Sequence, residues 1–243
     1  MSHILVLGAK SDIAKALSRQ YANAGYDLYL AARNILELEK DIQDMQIRYN
    51  VKIQPIEFDL LDTQSHFDFY NALNPKPVGI IFAIGYLGDQ KKAQNDFLEA
   101  KKRIDTNFTC AVSILNIIAN DFEKRGSGFI IGISSVAGDR GRATNYIYGS
   151  SKAAFTAYLS GLRNRLFKSN VDVLTVKPGF VDTKMTKGMK LPKKLTATPQ
   201  EVAKDIFDAQ QQKKDVIYTK KEWFFIMKTI NNLPEYIFKR LNF

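Results

Sequence analysis

Two rhythms of apolar and polar positions alternate along most of this chain. Short unbroken apolar runs recur, and between them lie longer stretches in which apolar residues return every three or four positions. Ile4-Leu5-Val6-Leu7 is such a run, as a strand buried on both faces requires. Asp12–Ala24 follows, with Ile13, Ala16, Leu17 and Tyr21 at helical spacing and Gly25 placed to close the helix. The same reading predicts a strand at Asp27–Ala31, a helix over Asn34–Arg48, and strands at Val51–Phe58 and Val78–Ala83. It continues with a long helix over roughly Asn95–Glu123, a strand at Gly128–Ser134, a helix over Asn145–Lys168 and a strand at Val171–Lys177. Gln200–Gln211 predicts a short helix and Asp215–Tyr218 a seventh strand. Strands alternating with long helices argue a parallel sheet with right-handed crossovers. No Pro-, Gly- or Ser-rich linker breaks the alternation, so the fold class expected is α/β, one domain over 1–219 followed by a helical tail over 220–243.

Composition narrows the chemistry. The 243 residues are 45% hydrophobic, which is globular rather than disordered. One cysteine, Cys110, and two histidines, His3 and His66, exclude a disulfide framework and a Cys- or His-rich metal site, so no metal is expected. Cys110 reads as a buried structural thiol, and His66 has no identifiable partner. The N-terminus lacks the charged and apolar regions of a signal peptide, and no run of 18 apolar residues predicts a membrane span. A reducing cytoplasm is the expected compartment. The net charge of +10 first suggests nucleic acid, but no recognised nucleic-acid module is present. Moreover +7 of it falls in 184–243. The basicity is regional.

The turn after the first strand, Gly8-Ala9-Lys10-Ser11-Asp12-Ile13-Ala14, stands where a doubly wound sheet sets helix N-terminal amides against a dinucleotide pyrophosphate. Gly8 permits the tight turn, while Asp12 and Ala14 replace the later glycines; Asp12 also reads as a helix cap. The second strand ends Ala31-Ala32-Arg33, without the acid that holds a ribose 2′-hydroxyl. Arg33, with Lys10, suits a 2′-phosphate, so NADP(H) is the preferred cofactor and NAD(H) the alternative.

Tyr148-Gly149-Ser150-Ser151-Lys152 is the most informative pentapeptide. Tyr148 and Lys152 lie four apart and share a helix face. A phenol titrates near pH ~10, and a neighbouring ammonium favours its ionised form, bringing it towards general acid–base work. Thirteen residues upstream of Tyr148, Ser135 ends the fifth strand, where ligands of such sheets bind, and is placed to hydrogen-bond a carbonyl oxygen. Asn107 falls mid-helix against its propensity, which a side chain holding a relay water would explain. Pro178-Gly179 and the following 180–183 read as a turn against the nicotinamide carboxamide.

These residues together resemble the short-chain dehydrogenase/reductase family, over essentially the whole chain. The match rests on Gly8, Asp59-Leu60, Ala83-Ile84-Gly85, Asn107, Ser135, Tyr148, Lys152 and Pro178-Gly179. The resemblance implies a doubly wound, seven-stranded Rossmann-type sheet in three layers and nicotinamide-dependent carbonyl/alcohol chemistry. It implies Tyr148 as proton donor, Lys152 as ribose ligand and modulator of the phenol, Ser135 orienting the carbonyl and Asn107 supporting the relay. It implies a cofactor site of Gly8, Lys10, Ser11, Asp12, Ile13, Arg33, Asp59, Leu60, Ala83, Gly85, Asn107, Tyr148, Lys152, Pro178, Gly179, Val181 and Thr183. Asp59 and Leu60 would flank the adenine and Thr183 would touch the carboxamide. A homodimer or homotetramer is the family expectation. Two departures stand out: the first turn has lost two of three glycines, and Ala83-Ile84-Gly85 lacks the usual asparagines.

The segments 136–152 and 177–185, with the tail carrying Trp223 and Pro234, are similar to the subgroup that includes decaprenylphosphoryl-2-keto-ribose reductase. That likeness implies a polyprenyl-phosphate-linked or phosphorylated keto sugar and a role in cell-envelope glycan synthesis. Arg140, Arg142 and Lys184 are candidate substrate residues, and a lysine-rich lid over about 183–199 suits an anionic substrate. The plainer alternatives are a solvated loop and surface ion pairs, and a soluble carbonyl compound as substrate. A non-enzymatic NADP sensor on the same fold is a further alternative, which the intact Asn107/Ser135/Tyr148/Lys152 set argues against. Apolar residues at 223, 226, 227, 230, 233, 237 and 241 follow helical spacing among lysines, with Pro234 expected to split the helix. Such a tail reads either as peripheral contact with the inner face of a membrane or as packing on the core or a second subunit.

Overall fold

The computed structural model describes residues 2–241. Its strands are β1 (His3–Leu7), β2 (Asp27–Ala32), β3 (Ile53–Glu57), β4 (Gly79–Phe82), β5 (Gly128–Ile133), β6 (Val171–Pro178), β7 (Phe180–Val181), β8 (Thr196–Ala197) and β9 (Val216–Thr219). Seven of them form one parallel sheet in the order β3-β2-β1-β4-β5-β6-β9, and β7 and β8 pair separately. The helices are α1 (Asp12–Asn23), α2 (Glu39–Tyr49), α3 (His66–Asn71), α4 (Gln90–Asn95) and α5 (Phe97–Ile104). They continue with α6 (Cys110–Arg125), α7 (Tyr146–Leu166), α8 (Pro199–Gln211), α9 (Glu222–Asn232) and α10 (Glu235–Phe238). The α/β, doubly wound, three-layered architecture expected from the sequence is the one observed.

The apolar runs are continuous because both faces of the sheet are covered. In β1, Ile4 and Val6 join a core with Leu17 and Tyr21 of α1 and Val202 and Ile206 of α8. Leu5 and Leu7 enter the opposite core with Ile114 and Ile118 of α6 and Phe155 and Leu159 of α7. Burying each such side chain contributes about 1.5–3 kcal/mol, so neither layer is dispensable. The strand order reverses between β1 and β4, and the crevice beyond their carboxyl ends is the ligand position of this architecture.

The long helix expected over Asn95–Glu123 is broken where function concentrates. The Asp96 carboxylate accepts the Leu98 amide at 2.9 Å and starts α5. Asp105–Thr109 then form a π-turn before α6, with the Cys110 amide reaching the Asp105 carbonyl. A π-turn inserts one residue into the helical ladder and re-aims its side chains, a common device at functional sites. The helix expected over Asn34–Arg48 opens instead as a 3-10 turn at Ile35–Leu38, because Asn34 takes a left-handed φ of 56°.

His66 has partners that its sequence context did not indicate, whereas Cys110 is the buried thiol expected. His66 is buried, its Nδ1 3.0 Å from Ser113 Oγ and its Nε2 3.1 Å from the Leu60 carbonyl oxygen. Burial holds its imidazolium below the ordinary histidine range. Cys110 is buried, and burial raises its thiol.

Pro234 does split the tail, into α9 and α10. Trp223, Met227 and Ile230 are buried in a small third core with Val136, and Phe180, Leu195 and Tyr218 pack around it. One face of the tail therefore packs on its own chain. No helix among the described residues is long and apolar enough to cross a membrane.

Candidate active site

A cavity of about 910 Å³ opens at the carboxyl ends of β1, β4, β5 and β6. Its walls are the turn into α1, the loop after β4, the end of β5, the start of α7 and the loop after β6. This is the crevice that the strand-order reversal creates.

Tyr148 and Lys152 stand one turn apart on α7, both buried and both on the cavity wall. The segment after β5 is held directly against them. Ser134 Oγ lies 3.0 Å from the Lys152 carbonyl oxygen, donating to it, and 2.7 Å from Thr156 Oγ1. A Cβ on Gly149 would lie 2.7 Å from the Ala137 carbonyl oxygen, so only glycine lets α7 approach this closely. Neither Ser134 nor Gly149 figured among the expected site residues. The serine beside Ser135 and the glycine after Tyr148 were the available signals.

The electrostatics differ from the expectation. Lys152 Nζ donates to the Ile133 carbonyl oxygen at 3.0 Å and lies 5.9 Å from the centre of the Tyr148 ring. Burial pushes the Tyr148 phenol up to about 12, with a hydrogen bond to the Ser135 side chain acting in the opposite direction. Burial brings the Lys152 ammonium down to about 8. Desolvation thus sets the direction of both shifts, outweighing the Ser135 hydrogen bond at the phenol. Ser135 Oγ also accepts the Ala137 amide at 3.1 Å, which caps a 3-10 turn and fixes the hydroxyl beside the phenol.

Asn107 is buried in the π-turn and faces the loop after β4. Its Oδ1 accepts the Tyr86 amide at 2.9 Å and its Nδ2 donates to the Tyr86 carbonyl oxygen at 2.8 Å. The side chain expected to hold a relay water is committed to the backbone of that loop. Gly85 lies just before the clamp, and a Cβ there would come within 3.4 Å of both Asn107 Oδ1 and Lys152 Nζ.

Of the other expected residues, Lys10, Ser11, Asp12, Ile13, Ala83, Gly85, Pro178, Gly179, Val181, Thr183, Arg142 and Lys184 share the cavity wall. Gly8 sits behind it with φ +86°, its amide on the Ala31 carbonyl oxygen. Ser11, not Asp12, caps α1, by accepting the Ala14 amide at 3.1 Å. The Asp12 carboxylate accepts the Lys184 amide at 2.7 Å and ties the lid to the first turn. Lys10 donates to the Arg33 carbonyl oxygen at 3.1 Å and to Glu37 Oε1 at 2.5 Å, while the Arg33 side chain is exposed. Asp59 is exposed and Leu60 buried in the core, and neither is on the cavity wall.

Arg140 departs furthest from its expected role. It donates to the carbonyl oxygens of Ile230 and, at 2.8 Å, of Leu233, pairs with Glu235 at 2.8 Å, and lies 3.7 Å from the centre of the Phe238 ring. A cation on the last carbonyls of a helix is favourable there. Arg140 is therefore the clasp of the tail, to which it commits three hydrogen bonds, and it is not on the cavity wall.

A family model described as short chain dehydrogenase matches residues 2–194. The chain belongs to the short-chain dehydrogenase family. It is accordingly an oxidoreductase of the NAD(P)-dependent dehydrogenase/reductase type. An uncharacterized oxidoreductase of Mycobacterium tuberculosis is 32% identical to it over 241 residues, covering 98% of this chain and 96% of that one. An NADP-dependent 3-hydroxy acid dehydrogenase of Schizosaccharomyces pombe is 26% identical over 188 residues, covering 75% and 73% respectively. A short-chain dehydrogenase from Sphingobium yanoikuyae, solved in complex with NADPH, shares the fold with a TM-score of 0.83 at 20% identity, covering 97% of each chain. These likenesses account for the clustering of the motif residues in one crevice.

Proposed function

We propose that this short-chain dehydrogenase reduces a ketone to an alcohol with NADP(H), Tyr148 serving as the general acid. The observation that carries the reading is the juxtaposition of the buried Tyr148 and Lys152 with the half-buried Ser135 on one wall of the cavity at the strand ends. The residues fit a nicotinamide dinucleotide. The N-terminus of the twelve-residue α1 opens into the cavity for a pyrophosphate, and Gly8 holds the positive φ that the turn needs. Bound there, that cofactor would supply the hydride for the reduction.

The chain's own residues do the rest. Ser135 Oγ donates to the substrate carbonyl oxygen and fixes it against the phenol. Tyr148 Oη delivers its proton to that same oxygen as negative charge develops there. Lys152, held by the Ile133 carbonyl, keeps a positive group beneath the phenol and lowers the cost of the phenolate left behind. Asn107 holds the loop after β4 at the distance the site requires. The lid over about 183–199 reaches the cavity wall through Thr183, Lys184, Met185, Thr186 and Met189, and Thr183 is the candidate carboxamide contact.

NADP(H) is supported by the absence of an acid directly after β2 and by the NADPH and NADP named for the two relatives above. Lys10 and Arg33 are the proposed 2′-phosphate contacts, with Glu37 sharing Lys10. Arg33→Ala is expected to raise the dissociation constant for NADPH about tenfold more than that for NADH, as the loss of one charge-assisted hydrogen bond does. Equal effects in fluorescence titrations remove Arg33 from that role.

The chemical assignment is tested by Tyr148→Phe. It should keep NADPH binding and lose about 10²–10⁴-fold in turnover, the usual worth of a positioned general acid. Undiminished oxidation of NADPH by a ketone substrate would falsify it.

The subgroup likeness further supports a lipid-linked or phosphorylated keto sugar from cell-envelope synthesis as the substrate. Phe224, Phe225 and Tyr236 are exposed on the tail beside Lys221, Lys228 and Lys239, which favours contact with an anionic membrane surface. Cosedimentation with anionic liposomes that is unchanged by Phe224→Ser together with Phe225→Ser counts against that contact.

A further inference from the structure

Beside the catalytic wall lies a second group of side chains that the reduction itself does not use. Arg103, on α5 one turn before Asn107, is only 1% exposed yet lines the cavity. Its Nη1 donates to Gln90 Oε1 at 3.2 Å, and its Nε is 3.8 Å from Glu99 Oε1. Neither Nε nor Nη2 has a hydrogen-bond partner among the described residues. That edge of the guanidinium faces Gly88, where a Cβ would lie 2.6 Å from Nε and 2.9 Å from Nη2. The Glu99 oxygen nearest Arg103 is already shared with the Tyr86 hydroxyl at 2.9 Å.

Three more residues of the same wall repeat the pattern. Gln90 accepts from Arg103 and from the Ile147 amide, next to Tyr148, while its Nε2 is buried without a partner. Asn145, which opens α7, buries Oδ1 without a partner. Arg142 buries Nε without a hydrogen-bond partner among the described residues, and its Nη2 donates to the sulfur of Met227 at 3.1 Å. Buried polar atoms are nearly always paired, and buried cations are costly when they are not. Five buried side-chain atoms without a hydrogen-bond partner among the described residues therefore belong to residues that line this one cavity. Four of those five are donors, two of the residues are cations, and the nearest carboxylate is shared. The missing partner has the chemistry of an anion.

We propose that Arg103, Arg142 and Gln90 form a receptor for an anionic group on the carbonyl substrate, a phosphate or a carboxylate held a few bonds from the carbon that is reduced. Asn145 accepts from a hydroxyl of the same substrate. The inference rests on the reductase reading above, because it takes the carbonyl to lie at Tyr148. A site built around unpaired polar groups selects strongly, since an analogue lacking the matching group leaves those donors buried and unsatisfied.

The test uses the full chain saturated with NADPH and two pairs of probes: dihydroxyacetone phosphate against dihydroxyacetone, and acetoacetate against methyl acetoacetate. Binding is read by calorimetry and reduction by NADPH oxidation. One charged member is expected to bind at least about tenfold more tightly than its neutral partner, the scale of one charge-assisted hydrogen bond. Which pair shows the preference separates phosphate from carboxylate. Arg142→Gln, a change at a partly buried position, should erase most of that preference, and Arg142→Lys should restore part of it. Retained NADPH binding confirms that each variant is folded. Tyr148→Phe should keep the preference in binding while losing turnover, so failure of the acid assignment and failure of the receptor are read separately. Equal binding of charged and neutral members, or no binding of any probe, overturns the receptor, as does an Arg142→Gln variant with an unchanged preference.

Discussion

The two walls of the cavity are built on opposite principles. The α7 wall places buried polar groups on backbone: Lys152 on the Ile133 carbonyl, Ser134 on the Lys152 carbonyl, Asn107 on both polar atoms of Tyr86. The wall formed after β6 is a ladder of two-residue strands and 3-10 turns, stiffened from outside by an apolar tail. Trp223 is its centre. It presses edge-on against Phe180 with ring centres 5.2 Å apart, and its Nε1 donates to the Leu195 carbonyl oxygen at 3.1 Å. It also lies so close to Gly179 that a Cβ there would be 1.9 Å from its Nε1. The chemistry is fixed by hydrogen bonds within the sheet and its helices, whereas the substrate side is fixed by a cluster that α9 completes. A group that must hold a reacting proton tolerates less displacement than one that must admit and release substrate.

Trp223→Ala is the strongest way to break this contrast. Emptying a buried indole should cost about 3–5 kcal/mol in urea unfolding and loosen the loop that carries Pro178 and Gly179. The Michaelis constant should then rise more than turnover falls. A cost below ~1 kcal/mol would mean that the tail merely rests on the second wall.

Lys152→Met tests the first wall in the opposite sense. The buried ammonium is destabilising, because burial brings its pKa from 10.5 to about 8. The unfolded chain therefore holds more protons than the folded one between those values, so stability rises with pH across that window. Below pH ~8 the full penalty is present, and removing the charge should stabilise the fold by about 1–2 kcal/mol at pH 7 while abolishing most turnover. The gain should shrink as pH climbs from about 8 towards 10.5 and be gone above that, where the native lysine is neutral in both states. Melting curves at pH 7 and pH 10 decide it. A variant less stable than the parent at pH 7 would show that the bond to Ile133 outweighs desolvation.

The same contrast governs what the sequence made legible. Strand and helix order came from periodicity, and the Tyr148/Lys152 spacing from helical geometry, because both are properties of neighbouring residues. The π-turn at Asp105–Thr109 was hidden: five ordinary residues inside a helical pattern carry no mark of an inserted position, and only the misfit of Asn107 hinted at it. The sign of the shift at Tyr148 was also hidden, since desolvation depends on packing across β5 and α7. Arg140 and Arg142 looked equivalent two positions apart. Fold geometry sends Arg140 to the carbonyls of α9 and Arg142 to the cavity. Arg103 was illegible as a site residue because an arginine among lysines on a helix ordinarily belongs to a solvated face.

The lid lysines carry the smallest and sharpest prediction. Regional charge suggested that the lysines of 183–199 act together on an anionic substrate. The fold divides them: Lys184, with Asp12 and Thr183, lines both the main cavity and an adjoining cleft, Lys187 and Lys193 line only that adjoining cleft, and Lys190 and Lys194 line neither. Lys190 and Lys194 are exposed, and charges on a solvated surface are screened beyond about 8–10 Å at physiological salt. Lys190→Ser combined with Lys194→Ser should therefore change kcat/KM by less than about twofold at ~150 mM salt. At ~10 mM salt, where the screening length reaches about 30 Å, the same pair should slow capture of a charged substrate by a few-fold. A large loss that persists at high salt would put those lysines in direct contact with substrate, and the second wall would then be as specific as the first.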